Sequence, residues 1–136
     1  MKLVLTSALL GAFFLISGCA TQCESIGAAY NTCKLSERSV QVDGANFCGL
    51  IDSFNQRAAA NGQTGCDAKW TAHLACWQTN ISKICDATFD GCDQTATDWQ
   101  DCVGAYCLAI ADDADKYDPQ CDSGDILAPS PFQSGF

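Results

Sequence analysis

The fold is decided by residues 66–107, CDAKWTAHLACWQTNISKICDATFDGCDQTATDWQDCVGAYC, which hold six of the chain's 11 cysteines. Twice in this stretch a cysteine is followed by another after nine intervening residues, at Cys66 and Cys76 and again at Cys92 and Cys102. Ten residues advance an α-helix by about 1000°, so the two sulfurs of each pair lie roughly 80° apart on one broad face. Each such helix can offer two cysteines to a neighbouring helix.

Apolar residues recur in the same stretch with the period of an α-helix and predict two helices. One runs from about Asp67 to Ile84 and the other from about Asp93 to Ala111, and the aspartate at each start favours the helix dipole. A short strand pair around Cys85 to Cys92 is the alternative for the loop between them. The three tryptophans lie on the apolar stripes and are expected in the core: Trp70, Trp77 and Trp99.

Two further helices are predicted on the N-terminal side. The first runs from about Cys23 to Glu37 and carries a third Cys-x9-Cys spacing, which ends at Cys33. Asp43-Gly44-Ala45-Asn46 is predicted as a turn ending in an N-cap, and the helix after it is expected to stop at Asn61-Gly62. Sustained alternation of apolar and polar residues, which strands require, is absent from the sequence. We therefore predict an all-α fold: a small disulfide-rich bundle of about four short helices with an extended C-terminal tail.

The N-terminus has the pattern of a signal peptide. Met1-Lys2 is a short positive region, and an almost wholly apolar run of 14 residues follows from Leu3 to Ile16. A membrane-spanning helix needs about 20 apolar residues, so a permanent transmembrane helix is the poorer interpretation.

The end of this segment, Ile16-Ser17-Gly18-Cys19, closely resembles the lipobox of bacterial lipoproteins, with isoleucine where that family most often has leucine. The resemblance implies cleavage before Cys19 and acylation of its sulfur and usually of its new amino group. Two or more acyl chains hold a protein stably at a membrane. Ala20 favours the outer membrane by the sorting rule known from enteric bacteria. The alternative is cleavage after Ala20, which would release a soluble exported protein.

Committing Cys19 to lipid leaves ten cysteines, enough for five bridges with no free thiol. This cysteine content in an exported chain indicates a disulfide scaffold in an oxidising compartment, where each bridge contributes about 2–4 kcal/mol. The expected disulfide-forming residues are Cys23, Cys33, Cys48, Cys66, Cys76, Cys85, Cys92, Cys102, Cys107 and Cys121.

Four segments are predicted: a signal peptide at 1–18, a lipidated N-terminus and short tether at 19–22, a disulfide-rich helical domain at 23–125 and a flexible tail at 126–136. From residue 20 onward, 6 Lys and Arg stand against 16 Asp and Glu, which gives a net charge of −10. This excess of negative charge disfavours binding to nucleic acid and to anionic lipid surfaces. Cationic partners and metal ions remain open.

The stretch from Cys66 to Cys107 resembles small cysteine-rich lipoproteins common in myxobacteria and related bacteria. In those proteins a Cys-x9-Cys helix, a short loop containing Gly-Cys and a second Cys-x9-Cys helix recur. The resemblance covers about a third of the chain and implies no particular activity.

The cysteine spacing is also similar to that of the twin Cys-x9-Cys helical hairpins of the mitochondrial intermembrane space. That likeness suggests pairing Cys66 with Cys102 and Cys76 with Cys92. An alternative antiparallel register pairs Cys76 with Cys102 and Cys85 with Cys92. Connectivity cannot be deduced from one sequence, so both remain open.

Few residues suggest catalysis. His73 is the only histidine, and because it lies between Trp70 and Trp77 on an inward stripe we expect a core residue rather than a zinc ligand or a catalytic base. The sequence contains neither a Cys-x-x-Cys redox pair nor a Gly-x-Ser-x-Gly nucleophile motif. We therefore expect no catalytic residue and no cofactor.

The acidic loop after the last predicted helix loosely suggests a calcium site made by Asp113, Asp115 and Asp118. The sixth position of that loop is Asp118 rather than glycine, and Lys116 lies among the candidate ligands. We expect a solvated loop pinned by Cys121, with calcium binding as the alternative.

These features predict a lipid-anchored extracytoplasmic module of the bacterial cell envelope that acts by binding. Its expected partners are the membrane, through the anchor, and an unidentified protein or small molecule, but no nucleic acid. The alternative is a structural or envelope-stress protein without a specific ligand, and an enzyme comes third. A binding module should display an exposed apolar patch of hundreds of Å², whereas an enzyme should show a pocket with perturbed carboxylates.

Overall fold

Four α-helices and a short fifth one make up the fold in a computed structural model that describes residues 18–33, 43–86, 88–113 and 115–123. No strand occurs among those residues, and the predicted all-α class is confirmed. The turns between the third and fourth helices replace the strand pair considered for that loop. The elements are α1 (Gly18–Tyr30), α2 (Gly44–Ala60), α3 (Cys66–Thr79), a 3₁₀ turn (Ile81–Lys83), α4 (Asp93–Ile110) and α5 (Pro119–Ser123).

Several predicted features lie outside the described residues. Of the predicted signal peptide at 1–18, Gly18 alone is described, and the predicted tail at 126–136 lies entirely outside the described residues. The backbone of Cys19 belongs to α1, but its side chain, the predicted lipid attachment point, is outside the described part. Because α1 begins at Gly18, the backbone of the predicted tether at 19–22 is helical.

Helices α3 and α4 form an antiparallel hairpin closed by a disulfide near each end. Cys66 at the start of α3 is bonded to Cys102 of α4, with their Cα atoms 5.6 Å apart. Cys76 in the last turn of α3 is bonded to Cys92, which directly precedes α4, at a Cα–Cα distance of 5.8 Å. The hairpin therefore has the register suggested by the twin Cys-x9-Cys likeness, and the alternative register is wrong.

Three more disulfides join the rest of the chain, so all ten expected cysteines are paired. One links α1 to α2, the second links the turn after α1 to the loop before α4, and the third links α4 to α5. These disulfides are Cys23–Cys48, Cys33–Cys85 and Cys107–Cys121. Five disulfides place the folded chain in an oxidising, extracytoplasmic compartment. Among the described residues, no helix has both the length and the apolar character needed to cross a membrane.

Helix α1 approaches α2 closely because α2 begins with a glycine. A Cβ atom at Gly44 would lie 3.3 Å from the carbonyl oxygen of Cys23, so the absence of a side chain permits this crossing. The side chains of Ile26 in α1 and Ile51 in α2 are fully buried in the core.

Aromatic rings from three helices meet in the core. Phe54 of α2 lies edge-on to Trp99 and Tyr106 of α4, with ring centroids 5.7 and 5.2 Å apart. Trp99 in turn contacts Trp70 of α3 at 5.4 Å. Each such pair adds about 0.5–1.5 kcal/mol beyond the burial of its surface. The prediction that the tryptophans belong to the core is confirmed, since Trp70, Trp77 and Trp99 are all buried.

The start of α2 differs from the prediction. The helix begins at Gly44, and Asp43 is its N-cap, because the Asp43 carboxylate accepts a hydrogen bond of 3.0 Å from the backbone N–H of Asn46. Asn46, the predicted N-cap, therefore lies inside the helix. The sequence contains two residues with capping side chains in one turn, and only the earlier one is used.

Helices α1 and α3 end earlier than predicted. Helix α1 stops at Tyr30, before a turn at residues 31–33, and the rest of its predicted length lies outside the described residues. Helix α3 stops at Thr79 rather than at Ile84. The side-chain amide of Asn80 donates to the carbonyl of Cys76 at 2.9 Å, and this local bond competes with continuation of the helix.

Candidate functional site

A groove lies beside α2, on a face of that helix that flanks the buried one. One wall consists of Asp52, Asn55, Gln56 and Ala59 of α2, and residues 63–67 form the other wall. The groove has a volume of about 430 Å³ and opens to solvent. Pockets that hold small molecules typically measure about 300–1,000 Å³, so the groove has room for a small ligand.

The helical period of α2 places polar residues along the first wall. Its apolar positions Phe47, Ile51, Phe54 and Ala58 recur every three or four residues and are buried against the other helices. Asp52, Asn55 and Ala59 each follow one of these buried positions by one residue, about 100° round the helix, so the groove wall flanks the buried stripe. The exposed face of α2 is therefore left for contact with solvent or a ligand.

A tight turn brings the second wall opposite the first. Gly62 has φ of 86°, in the left-handed region that glycine adopts without strain. Its N–H donates to the carbonyl of Ala59 at 3.0 Å, and the N–H of Gln63 donates to that of Ala58 at 2.9 Å. These two bonds form a Schellman motif, which ends α2 and reverses the chain. The predicted stop at Asn61-Gly62 is confirmed.

Contacts with α4 hold the second wall in place. The side chain of Asn61 donates to the hydroxyl of Tyr106 at 2.9 Å. The disulfide between Cys66 and Cys102 ties the start of α3 to α4, and Nε2 of Gln63 lies 3.9 Å from the sulfur of Cys102. A covalent bond and hydrogen bonds to the core thus shape this wall before any ligand arrives.

The polar lining of the groove combines carboxylates with side-chain amides. Asp52 and Asp67 contribute two carboxylates, and none of the described residues that line the groove is a lysine or an arginine. Oδ1 of Asn55 is shielded from solvent and has no hydrogen-bond partner in the described part of the chain. Shielded polar atoms in proteins nearly always have a partner, so this one needs an explanation. Asp67 lies in the first turn of α3, where the helix dipole offsets part of its charge.

His73 is a core residue, as predicted. Its side chain is buried, and its Nδ1 lies 2.9 Å from Oγ1 of Thr95. The Thr95 hydroxyl donates its proton to the carbonyl of Cys92 at 2.7 Å, so Nδ1 of His73 donates to Thr95. Burial lowers the pKa of His73 to about 4, and the ring is therefore neutral at physiological pH.

The three aspartates of the calcium alternative have other partners or lie apart. The carboxylate of Asp118 is buried and accepts two hydrogen bonds of 2.9 Å from Arg57. Asp113 pairs with Lys116 at 3.0 Å, and Asp115 is exposed. Among the described residues, no group of three or more His, Cys, Asp or Glu side chains is arranged to hold a metal ion. Asp118 thus belongs to an ion pair, so the expectation of a wholly solvated loop is wrong at this residue.

The exposed apolar patch expected of a binding module is not seen in the described part of the chain. Two large hydrophobic side chains are exposed there, Leu108 and Tyr117. A concave surface is present in that part, namely the groove beside α2. Sequence reasoning missed it, although the polar stripe from Asp52 to Ala59 and the two glycines at Gly62 and Gly65 were signals that could have indicated it.

The chain matches no protein-family model, no curated protein and no solved structure. Its function must therefore be argued from its own residues.

Proposed function

We propose that this protein is a lipid-anchored binding module of the bacterial cell envelope that holds a small ligand in the groove beside α2. The observation that supports binding is the groove itself, whose volume of about 430 Å³ lies in the range of small-molecule pockets. The Cys66–Cys102 disulfide and the hydrogen bond from Asn61 to Tyr106 fix its second wall before any ligand arrives.

The anchor in this proposal is the lipobox that ends at Cys19, and the Ala20 that follows it favours the outer membrane. Cys23, whose side chain is fully buried against α2, lies one helical turn after Cys19. Four residues of α-helix span about 6 Å. Acyl chains on Cys19 would therefore keep the folded domain against the membrane surface, where its groove would meet solutes of the envelope.

Mass spectrometry of the mature N-terminus tests the anchor. We expect a chain that begins at Cys19 and carries acyl groups. A Cys19→Ala variant should lose both the acylation and the membrane association. A mature chain that begins at an unmodified Thr21 would contradict the anchor and leave a soluble exported protein.

An NMR screen of the mature lipidated protein in detergent micelles tests the groove. The probes are small amines, amino acids and sugars, and we expect at least one to shift backbone amides clustered in residues 52–67. An Ala59→Trp variant should abolish those shifts because the indole would fill the groove. Ala105→Trp is the matched control, since Ala105 is exposed on α4 and does not line the groove.

Two results of that screen would contradict the proposal. One is the absence of any clustered shift, which would favour a structural role without a ligand. The other is a set of shifts that persists unchanged in the Ala59→Trp variant, which would place binding elsewhere.

A further inference from the structure

A chain of hydrogen bonds joins the turn that begins the second wall of the groove to the C-terminal segment, residues 115–123. The side-chain amide of Asn61 donates to the hydroxyl of Tyr106 at 2.9 Å, and that hydroxyl donates to the carboxylate of Asp118 at 3.3 Å. Asn61 ends α2, Tyr106 belongs to α4, and Asp118 directly precedes α5. The chain of bonds therefore crosses three elements that are distant in the sequence.

The protonation states of its members fix the direction of this chain. Burial raises the pKa of Asp118, but its hydrogen bonds and the charge of Arg57 outweigh burial and hold the pKa below its ordinary value. At neutral pH this side chain is thus a carboxylate that only accepts hydrogen bonds. Burial raises the pKa of Tyr106, whose hydroxyl keeps its single proton. Because that proton points to Asp118, the hydroxyl oxygen is free to accept from Asn61.

Burial makes the two bonds of the Tyr106 hydroxyl depend on each other. Tyr106 and Asp118 are each 1% exposed, so neither is bonded to bulk water while the segment is docked. Neighbouring hydrogen bonds in such surroundings polarise and strengthen one another. Loss of Asp118 would leave the hydroxyl free to rotate, and the bond that it accepts from Asn61 would weaken.

Asn61 connects this chain to the groove. Its successors Gly62 and Gln63 make the two backbone bonds of the turn, and Gln63 begins the second wall. The backbone N–H of Asn61 donates to the carbonyl of Arg57, whose guanidinium binds Asp118. Asp118 therefore holds the last turn of α2 at two positions.

We infer that the C-terminal segment is a strap that sets the shape of the second wall, with Tyr106 and Asp118 as positioning residues. While the segment is docked, Asp118 orients the Tyr106 hydroxyl, and Tyr106 holds Asn61 at the start of the turn. When the segment is released, the turn loosens. A preformed wall spares a ligand the cost of ordering it, so the strap lets events at the C-terminal end reach the groove. The inference goes beyond the proposed function, because it concerns the protein without a ligand.

NMR of the mature protein without a ligand, in detergent micelles at neutral pH, tests this inference. Asp118→Ala removes the last acceptor of the chain without touching Asn61. We expect the side-chain amide signals of Asn61 and the backbone amide signals of Gly62 and Gln63 to shift. Exchange of those two backbone amides should quicken about fivefold, as for the loss of one hydrogen bond. Chemical shifts report on the folded state, so a loss of global stability alone would not move them.

Tyr106→Phe shows whether the effect passes through the hydroxyl. This variant keeps the ring that packs against Phe54 and removes both hydrogen bonds. Alone it should shift the same Asn61 signals, and Asp118→Ala added to it should move them by less than about half as much as in the parent. Tyr117→Phe is the matched control, because it removes an exposed hydroxyl from the same segment and should leave the Asn61 signals unchanged.

Three results would overturn the inference. The first is an Asn61 side chain that keeps its parental signals in Asp118→Ala. The second is a shift that persists in full when Asp118→Ala is added to Tyr106→Phe, which would show that the effect reaches the turn through Arg57. The third is an equal shift in Tyr117→Phe.

A milder substitution keeps the test decisive if Asp118→Ala does not fold. Asp118→Asn removes the charge and retains the shape, so it should move the same Asn61 signals by a smaller amount. Unchanged signals in that variant would count equally against the strap. These measurements need no ligand, so the inference can fail while the binding function stands, and the reverse.

Discussion

The α3–α4 hairpin and the C-terminal segment, defined as residues 115–123, are held to the same bundle by different means. The hairpin is cross-linked near both ends and buries large side chains such as Trp99 and Tyr106. The segment has one disulfide to α4 and one ion pair, between Arg57 and Asp118. The stability of the hairpin is spread over many apolar contacts, whereas the attachment of the C-terminal segment depends on one disulfide and a few polar atoms. The two regions should therefore fail under different conditions.

Loss of the central aromatic ring should have the largest effect. Trp99 is 1% exposed and contacts both Phe54 and Trp70, so Trp99→Ala should lower the free energy of unfolding by about 3–5 kcal/mol. Tyr117→Ala in the C-terminal segment is the control. Because Tyr117 is 69% exposed, its loss should change the free energy of unfolding by less than about 0.5 kcal/mol. Urea unfolding followed by circular dichroism measures both. Equal midpoints for the two variants would refute this account of the core.

Removal of one disulfide from each region gives a matched comparison. Cys76–Cys92 and Cys107–Cys121 span 16 and 14 residues, so the unfolded chain gains similar entropy from either loss, worth about 3 kcal/mol. We expect double alanine replacement of the first pair to lower the midpoint of global unfolding. Replacement of the second pair should mainly release the C-terminal segment, seen as faster hydrogen exchange there.

An equal fall of the global midpoint in both double variants would count against this distinction. It would mean that the C-terminal segment unfolds together with the bundle rather than separately.

The hairpin should lose stability in mild acid through His73. Burial lowers its pKa to about 4 in the folded protein, against about 6.5 in an unfolded chain. The unfolded state therefore binds a proton before the folded state does. The contribution of the neutral ring to the free energy of unfolding is complete above pH ~6.5 and is lost as the pH falls towards about 4. Over that range the free energy of unfolding should fall by on the order of 3 kcal/mol.

A His73→Gln variant tests this pH dependence. Its urea midpoint should change much less than that of the parent between neutral pH and the lower end of this window, because glutamine does not titrate. If both proteins lose the same stability over that range, another group is responsible.

The C-terminal segment should respond only to stronger acid, through Asp118. Burial raises the pKa of Asp118, but the hydrogen bonds it accepts from Arg57, Gln120 and Tyr106, together with the charge of Arg57, outweigh burial and hold the pKa below its ordinary value. The contribution of this carboxylate is present above about pH 4 and is lost as the pH falls through the lower folded pKa. The Arg57 side chain is 35% exposed, so solvent screens its ion pair with Asp118. Asp118→Asn should therefore lower the free energy of unfolding by only about 1–2 kcal/mol.

Hydrogen exchange of the Gln120 and Cys121 amides measures this smallest effect. In the parent they should lose protection only in strong acid, below the pH range in which His73 destabilises the hairpin. In Asp118→Asn they should be less protected already at neutral pH. An unchanged acid transition in that variant would show that another group holds the segment.

The two regions also differ in how far sequence could predict them. The hairpin follows from local signals, namely cysteine spacing and an apolar period within each helix. The partner of Asp118 lies 61 residues away at Arg57, and nothing near either residue indicates the other. The carboxylate was therefore predicted to be solvated. Long-range pairs such as Cys33–Cys85 escaped prediction for the same reason.

The groove was predictable only in part. Its polar stripe on α2 follows from the helical period, and the turn at Gly62 follows from glycine. Its second wall depends on the Cys66–Cys102 disulfide and on the hydrogen bond from Asn61 to Tyr106, which form only when α2 packs against the hairpin. Shape that arises from tertiary contacts of this kind leaves no periodic trace in a sequence.

The disulfide framework underlies both the hairpin and the wall of the groove, so peptide mapping under non-reducing conditions tests the account most directly. Protein isolated from its native envelope should yield five cross-linked pairs and no alkylatable thiol: Cys23–Cys48, Cys33–Cys85, Cys66–Cys102, Cys76–Cys92 and Cys107–Cys121. A peptide that joins Cys76 to Cys102, or free thiols at Cys66 and Cys102, would contradict it.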